Sequence, residues 1–518
     1  MKAFNTAGTC RPNEHYMVDI TDRLEIIRGM VAKGDYFCIN RGRQYGKTTT
    51  LEAIRRQLSD EYCVFSISFE GIDDTYFQDA TTANAAFLRL LRRETRNAPE
   101  GDKVKELLDE VAPRGLKSVD DFDFTDIVAE LCELSTKPIV ILIDEVDQAG
   151  NNDGFVKFLG GLRKMYLQRA LHPTFQSVIL AGVYDIKNLK LKIRKEDEHQ
   201  YNSPWNIAVP FDVDMSLSAK GIAGMLSEYK ADHNLTFDEV FVGQMIRDYT
   251  AGYPFLVSRI CQIIDAEQYT WDKEGVLKAV NAILVERNTL FDNMIKKLDE
   301  YPELKQILKG ILFSGRVKSY NPDEKYVQIA SMFNYISNKD GKIAIACRIM
   351  ETRLYNLFIS EEENSSFFRQ GQIDKSQFIK DGVIDMAHLM ERFAVHMNQT
   401  YQMDHAGEFI EDDGRKVFLT YLRPIINGIG SYHIEEQTRD HDRMDVVIDY
   451  LGKQYVIELK IWRGNAYNER GEEQLCRYLE YFDLQEGYLL SFCFNKTKKS
   501  GLLPPVELNG RTLIEAIV

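Results

Sequence analysis

One ten-residue string, Asn40-Arg-Gly-Arg-Gln-Tyr-Gly46-Lys47-Thr48-Thr49, constrains this chain more than any other. It follows a short strand-like run over 36–40 and leads into a helical pattern, TTTLEAIRRQL. A strand that passes through a glycine turn straight into a helix aims successive backbone N–H groups, and the positive end of the helix, at one point. An anion fits there. Gly46 lets the backbone approach it, Lys47 reaches outer phosphates, and the Thr48 hydroxyl can hold Mg²⁺, with Thr49 next in line. The usual loop has its first glycine five residues before Gly46; Arg41 stands there, and the glycine comes one place late, at Gly42. Arg41 and Arg43 either contact phosphate or lie as solvated charges.

The chemistry needs an acidic partner. The run PIVILIDE over 138–145 is a strongly apolar strand ending in two carboxylates. That puts Asp144 at the strand tip, where it can orient a Mg²⁺ shell, and lets Glu145 polarise an attacking water. Taken singly, such a strand could simply meet solvent at its acidic end. Strand candidates over 63–69 and 177–183 alternate with longer helical patterns, which predicts a parallel sheet covered on both faces.

At 518 residues the chain exceeds what one hydrophobic core supports. We expect an α/β core over 1–213, a helical lid over 214–300 and a winged-helix-like module over 301–360. A polar, acidic linker over 361–377 and a second α/β domain over 378–518 complete the division. The net charge of −15 argues against a surface coated for non-specific DNA binding, but not against a local basic groove. Eight scattered cysteines, without a CxxC pair, read as reduced structural thiols. With no signal-like start and no apolar run of membrane-spanning length, a cytoplasmic protein that makes no membrane contact is expected.

Near the C-terminus, MDVVIDYLGKQYVIELK reads as two strands around a short Gly-Lys turn. Glu458 and Lys460 are two apart and so share a face; a turn near Gly452 places Asp445 opposite them. Two carboxylates can hold Mg²⁺ or Mn²⁺, and a lysine can orient or activate water and offset charge on a scissile phosphate. The plainer reading is a solvated ion pair worth ~0–1 kcal/mol. The apolar run YVIELKIW is a poor fit to a wet face.

The opening, FNTAGTCRPNEHYMVDITDRLEIIRGMVAKGDYFCINRGRQYGKTT, resembles a bacterial AAA-like P-loop ATPase family whose members share the FNTAG phrase and an R-Q-x-G-K-T loop. The resemblance spans about 1–360. It implies an ASCE-type fold, ATP with Mg²⁺, Lys47 and Thr48 on phosphates and metal, and Asp144 and Glu145 as the acidic pair. Ala251-Gly252-Tyr253-Pro254 resembles the Gly-x-Pro lid element of STAND ATPases, which implies that Pro254 lies against the base; alternatively it is a plain helix start. The D-x₁₂-E-x-K spacing resembles the PD-(D/E)XK nuclease superfamily over 378–518. That adds Glu411, or Glu408, on a preceding helix and Gln474 on a following one. Together these imply an ATP-gated, metal-dependent nuclease acting on DNA or RNA, in defence against foreign nucleic acid, with self-association left open. The competing expectations are a STAND-like sensor whose nuclease-like domain only docks partners, and an ATPase regulator that binds nucleic acid through its winged helix.

Overall fold

The computed structural model describes residues 2–518 except 100, 113–117, 151, 184–204, 314–318, 362–364, 401–410, 427–429, 435–445, 462–471, 474, 477–478, 481–483 and 494–499. The chain divides into two compact units: Met1–Ser216 with Met332–Asn334, and Leu217–Ser331 with Tyr335–Val518.

The first unit is built on four parallel strands, β1 (Phe37–Asn40), β2 (Cys63–Ser68), β3 (Ile139–Asp144) and β4 (Ser177–Gly182). Their order across the sheet is β1-β4-β3-β2. Val209 bridges Phe37 in parallel on the other edge of β1, its N–H donating to the Tyr36 carbonyl at 2.9 Å. Every residue of β3 and β4 is buried, which is why these runs read as continuous apolar stretches with no alternation. The helices Thr21–Ala32, Lys47–Leu58, Ala80–Glu94, Asp121–Leu134 and Asp153–Leu167 belong to the same unit. On one side of the sheet the helices supply a block of aromatic rings, Phe87, Phe124, Phe155 and Phe158, joined to Phe69 and Phe77 from the segment after β2. The expected α/β fold with a parallel sheet is what the first unit has.

In the second unit, helices Ala219–Asp232, Glu239–Thr250, Pro254–Ala266, Lys273–Val285 and Thr289–Glu300 come first. The first, second, fourth and fifth start at side-chain caps, Ser218, Asp238, Asp272 and Asn288. Helices Pro302–Phe313 and Lys325–Met332, a hairpin of β5 (Ile336–Lys339) and β6 (Lys342–Ile345), and helix Arg348–Ser360 follow. After a small hairpin, β7 (Ile379–Lys380) with β8 (Val383–Ile384), come helices Met386–Thr400 and Glu411–Ile426 and a mixed sheet. Its strands are β9 (Gly430–Ile434), β10 (Val446–Tyr450), β11 (Lys453–Ile461), β12 (Glu486–Phe492), β13 (Gly501–Leu502), β14 (Val506–Leu508) and β15 (Arg511–Ile517). The order is β13-β15-β12-β11-β10-β9, with β11, β12 and β15 parallel and β14 pairing on β15.

Two sequence expectations need correction. The stretch 361–377, taken as a linker for its polar composition, carries most of helix Ser366–Phe378. Its Phe367, Phe368, Gly371, Asp374 and Phe378 recur at helical spacing and are buried, so a narrow apolar stripe outweighs the polar average. The hairpin turn consists of Leu451 and Gly452, both at positive φ (49° and 81°), and Lys453 already pairs with Tyr450. That is the twist-matched two-residue turn, one place earlier than the Gly-Lys reading.

Helix Ser366–Phe378 lies so close to helix Glu411–Ile426 that a Cβ on Gly371 would stand 2.1 Å from the Tyr421 carbonyl oxygen and 2.8 Å from Pro424 Cγ. The first obstacle is backbone and cannot rotate away. Gly371→Val is therefore expected to destabilise the second unit by about 1–3 kcal/mol, the usual cost of overpacking. Thermal unfolding followed by circular dichroism checks this, and an unchanged midpoint would show that the two helices are not in contact.

Candidate functional site

β1 ends at Asn40, and the loop that follows turns into helix Lys47–Leu58 through Gly46 at φ 76°, ψ 19°. A side chain rarely adopts that backbone, which accounts for glycine at this position. No side chain caps the helix start, so its first N–H groups keep their direction toward an incoming anion. Lys47 is 6% exposed and donates from Nζ to the carbonyls of Arg41 and Gly42, both at 3.0 Å. The ammonium is thus folded back against its own loop. Arg41 holds the loop from outside: it donates to the Val213 carbonyl at 3.0 Å and lies 5.9 Å from the Phe211 ring centroid. This favours a scaffolding role over a phosphate contact.

The decisive contact joins residues from two separate elements. Thr48 Oγ1 donates to Asp144 Oδ2 at 2.6 Å, so the loop hydroxyl and the acid at the tip of β3 meet. Asp144 is 7% exposed and also accepts the Glu145 N–H on Oδ1 at 2.9 Å. Glu145 itself sits at φ 52°, ψ 40°, a left-handed position that is uncommon for a glutamate and that turns the chain sharply after β3. Burial, and then the charge of Asp144, push the Glu145 carboxyl above its ordinary range, while Lys47 pulls the other way. Burial lowers the Lys47 ammonium against the opposing pull of Glu145, Asp147 and Asp144. A buried cation in the field of these carboxylates, beside a hydroxyl and a carboxylate already in contact, is an arrangement that polyphosphate with a divalent cation would complete, with Thr48 Oγ1 and Asp144 Oδ2 as the oxygens available to the metal.

One participant was missed in the sequence. Asp147 accepts the Val183 N–H on Oδ2, tying the turn after β3 to the end of β4. The run Asp-Glu-Val-Asp was its only signal. Thr49, placed next in line at the loop, accepts the N–H of Cys10 on its Oγ1 at 3.1 Å, which fastens the segment around the FNTAG phrase to the first turn of the helix. That segment is itself closed by an Ala3–His15 bridge and by Phe4 against Tyr16, with ring centroids 5.1 Å apart. Beside Thr48 and Asp144 opens a cavity of about 550 Å³, walled by the same segment through Thr9 and Arg11 and by Ser66 and Ser68 of β2.

The second unit holds part of the other predicted cluster. Glu458 and Lys460 are 1% and 7% exposed, with Lys460 Nζ 3.4 Å from Glu458 Oε1. The wet-face reading fails for this pair. Asp445, Gln474 and Glu408 lie outside the described residues; Glu411 begins helix Glu411–Ile426, but its side chain is also outside them. The β10–β11 register runs up to Val446 opposite Ile457, the residues directly after 445 and before 458. Pro254 is the first residue of helix Pro254–Ala266, in the second unit. Among the described residues no group of three or more His, Cys, Asp and Glu side chains gathers as a metal site, and no helix is long and apolar enough to cross a membrane.

No family model matches the chain, and no curated protein does. Solved structures of similar shape include a Walker-type ATPase of Pyrococcus abyssi (14% identity, TM-score 0.44), which spans 68% of this chain and 99% of its own. Others are the ORC2 protein of Aeropyrum pernix in its ADPNP and ADP complexes (12%, 0.38, 69% and 98%) and Cdc6p from Pyrobaculum aerophilum (12%, 0.32, 69% and 97%). At these scores the likeness is a coarse one.

Proposed function

We propose that the first unit is an ATP-binding and ATP-hydrolysing P-loop domain. The observation that carries this is the 2.6 Å contact between Thr48 and Asp144, with Lys47 buried beside it. In that role the N–H groups after Gly46 and Lys47 hold the phosphates, and Thr48 and Asp144 hold Mg²⁺, directly or through its water. Bound Mg²⁺ offsets phosphate charge, while Glu145 orients and deprotonates water. The raised Glu145 carboxyl fits a base, because a more basic carboxylate takes a proton more readily at neutral pH.

Glu145→Gln is expected to keep nucleotide affinity and to slow turnover by about 10²–10⁴-fold. Isothermal calorimetry together with phosphate release tests this, and hydrolysis at the parent rate would remove Glu145 from the reaction. The same substitution has a second expected effect. A carboxyl whose folded value lies above its unfolded one binds its proton more tightly when folded, so it costs stability as pH rises through that interval. Nucleotide-free Glu145→Gln should therefore melt above the parent at pH 7, and the difference should shrink toward pH 4.

For the C-terminal domain we propose a metal-dependent phosphodiesterase centre, with Asp445 and Glu458 holding Mg²⁺ or Mn²⁺. Lys460 steadies the attacked phosphate, and Glu411 and Gln474 complete the catalytic set. Burial of Glu458 and Lys460 in the otherwise apolar run from Tyr455 to Ile461 supports it, since a buried charge pair is costly to keep unless it serves a purpose. ATP binding would then gate access of DNA or RNA to this centre, in the setting of defence against foreign nucleic acid. The alternative is a STAND-like sensor whose nuclease-like domain docks nucleic acid or protein without cutting. Plasmid, single-stranded DNA and RNA incubated with and without ATP and metal ion separate the two readings.

A further inference from the structure

Strands β11, β12 and β15 run parallel, and their register places Lys460 beside Ser491, Glu458 beside Leu489, and Leu489 beside Glu515. Residues paired in neighbouring strands share a face, as do residues two apart, so Glu458, Lys460, Ser491 and Glu515 occupy one face. All four lie near the carboxyl ends of their strands, which stop at Ile461, Phe492 and Ile517. In open α/β sheets that end is where ligands bind. Ser491 is completely buried, and its Oγ donates to Glu515 Oε1 at 2.6 Å. A hydroxyl whose hydrogen is committed in this way has only lone pairs left, so toward a neighbour it can act only as an acceptor. An ammonium is the partner that suits it.

We propose that Ser491 and Glu515 are positioning residues of the phosphodiesterase centre, which set the Lys460 ammonium in place from the neighbouring strands; this rests on the nuclease reading above. Glu458 Oε1 holds the lysine from its own strand at 3.4 Å, and the Glu515 carboxylate orients Ser491 on the other side. Lys460 is then fixed between two acceptors before substrate arrives, as an electrostatic catalyst requires. Neither Ser491 nor Glu515 is assigned to the metal.

The test uses the full chain with Mg²⁺ or Mn²⁺ on a substrate that the parent cleaves. Ser491→Ala and Glu515→Gln should each lower kcat by about 10–100-fold with KM unchanged, the range for residues that orient a reacting group. Ser491→Thr keeps the hydroxyl and should keep most of the rate. The metal-induced rise in melting temperature should match the parent in all three. Glu515→Gln at the parent kcat, or Ser491→Thr as impaired as Ser491→Ala, overturns the proposal and leaves the nuclease reading standing. A parent that cleaves none of plasmid, single-stranded DNA and RNA overturns both. If Glu515→Gln does not fold, Glu515→Asp, which keeps the charge but shortens its reach, carries the same expectation.

Discussion

Lys47→Ala is expected to weaken ATP binding by about 30- to 5,000-fold, or roughly 2–5 kcal/mol, the range for truncating one partner of a buried charged contact. The geometry of the loop makes this specific. Lys47 spends its hydrogen bonds on the Arg41 and Gly42 carbonyls, so it shapes the loop as well as supplying charge. Lys47→Arg should not rescue binding, because a planar fork cannot reproduce a compact ammonium within its own loop. Calorimetry with ATP and Mg²⁺ reads the effect directly. Affinity within threefold of the parent would sink the P-loop assignment.

The second large effect concerns Glu458 and Lys460. Glu458→Ala should abolish metal-dependent cleavage together with the rise in melting temperature that Mg²⁺ or Mn²⁺ produces by binding the native state. Lys460→Met should lose cleavage by about 10²–10³-fold, as when one preorganised charge is removed from a developing anion, while the metal shift survives. Stability adds an independent signature. With both groups buried 3.4 Å apart, removing one leaves the other poorly compensated, at a typical cost of about 3–5 kcal/mol. The double variant Glu458→Gln/Lys460→Met should therefore be more stable than Lys460→Met alone, a coupling that a double-mutant cycle measures. Strict additivity would mean that the two side chains do not act as a pair. Cleavage that persists in Glu458→Ala would place the nuclease site elsewhere.

Much of this was legible along the chain, for a physical reason. Phosphate loops, buried strands and hairpins are local objects, written in spacings of two to five residues. The strand, Gly46, Lys47, Thr48 and the helix could be read as one unit, and so could the β3 run ending in Asp144. The positive-φ turn of the last hairpin was misread by one residue only, because Leu451 is a residue seldom found there. The composition of 361–377 misled because averaging over a window hides a stripe of two phenylalanines and a glycine on one side of a helix.

What tertiary structure decided is which distant pieces meet. The strand order β1-β4-β3-β2 brings Thr48 to Asp144, and no local spacing encodes that order. The same holds for the Cys10 N–H on Thr49 and for Asp147 on Val183, contacts of 39 and 36 residues' separation that only the folded chain brings together. Ser491 and Glu515 are ordinary residues in their own strands. They come onto one face with Lys460 only because β12 lies between β11 and β15, and parallel register is set by packing across the whole sheet.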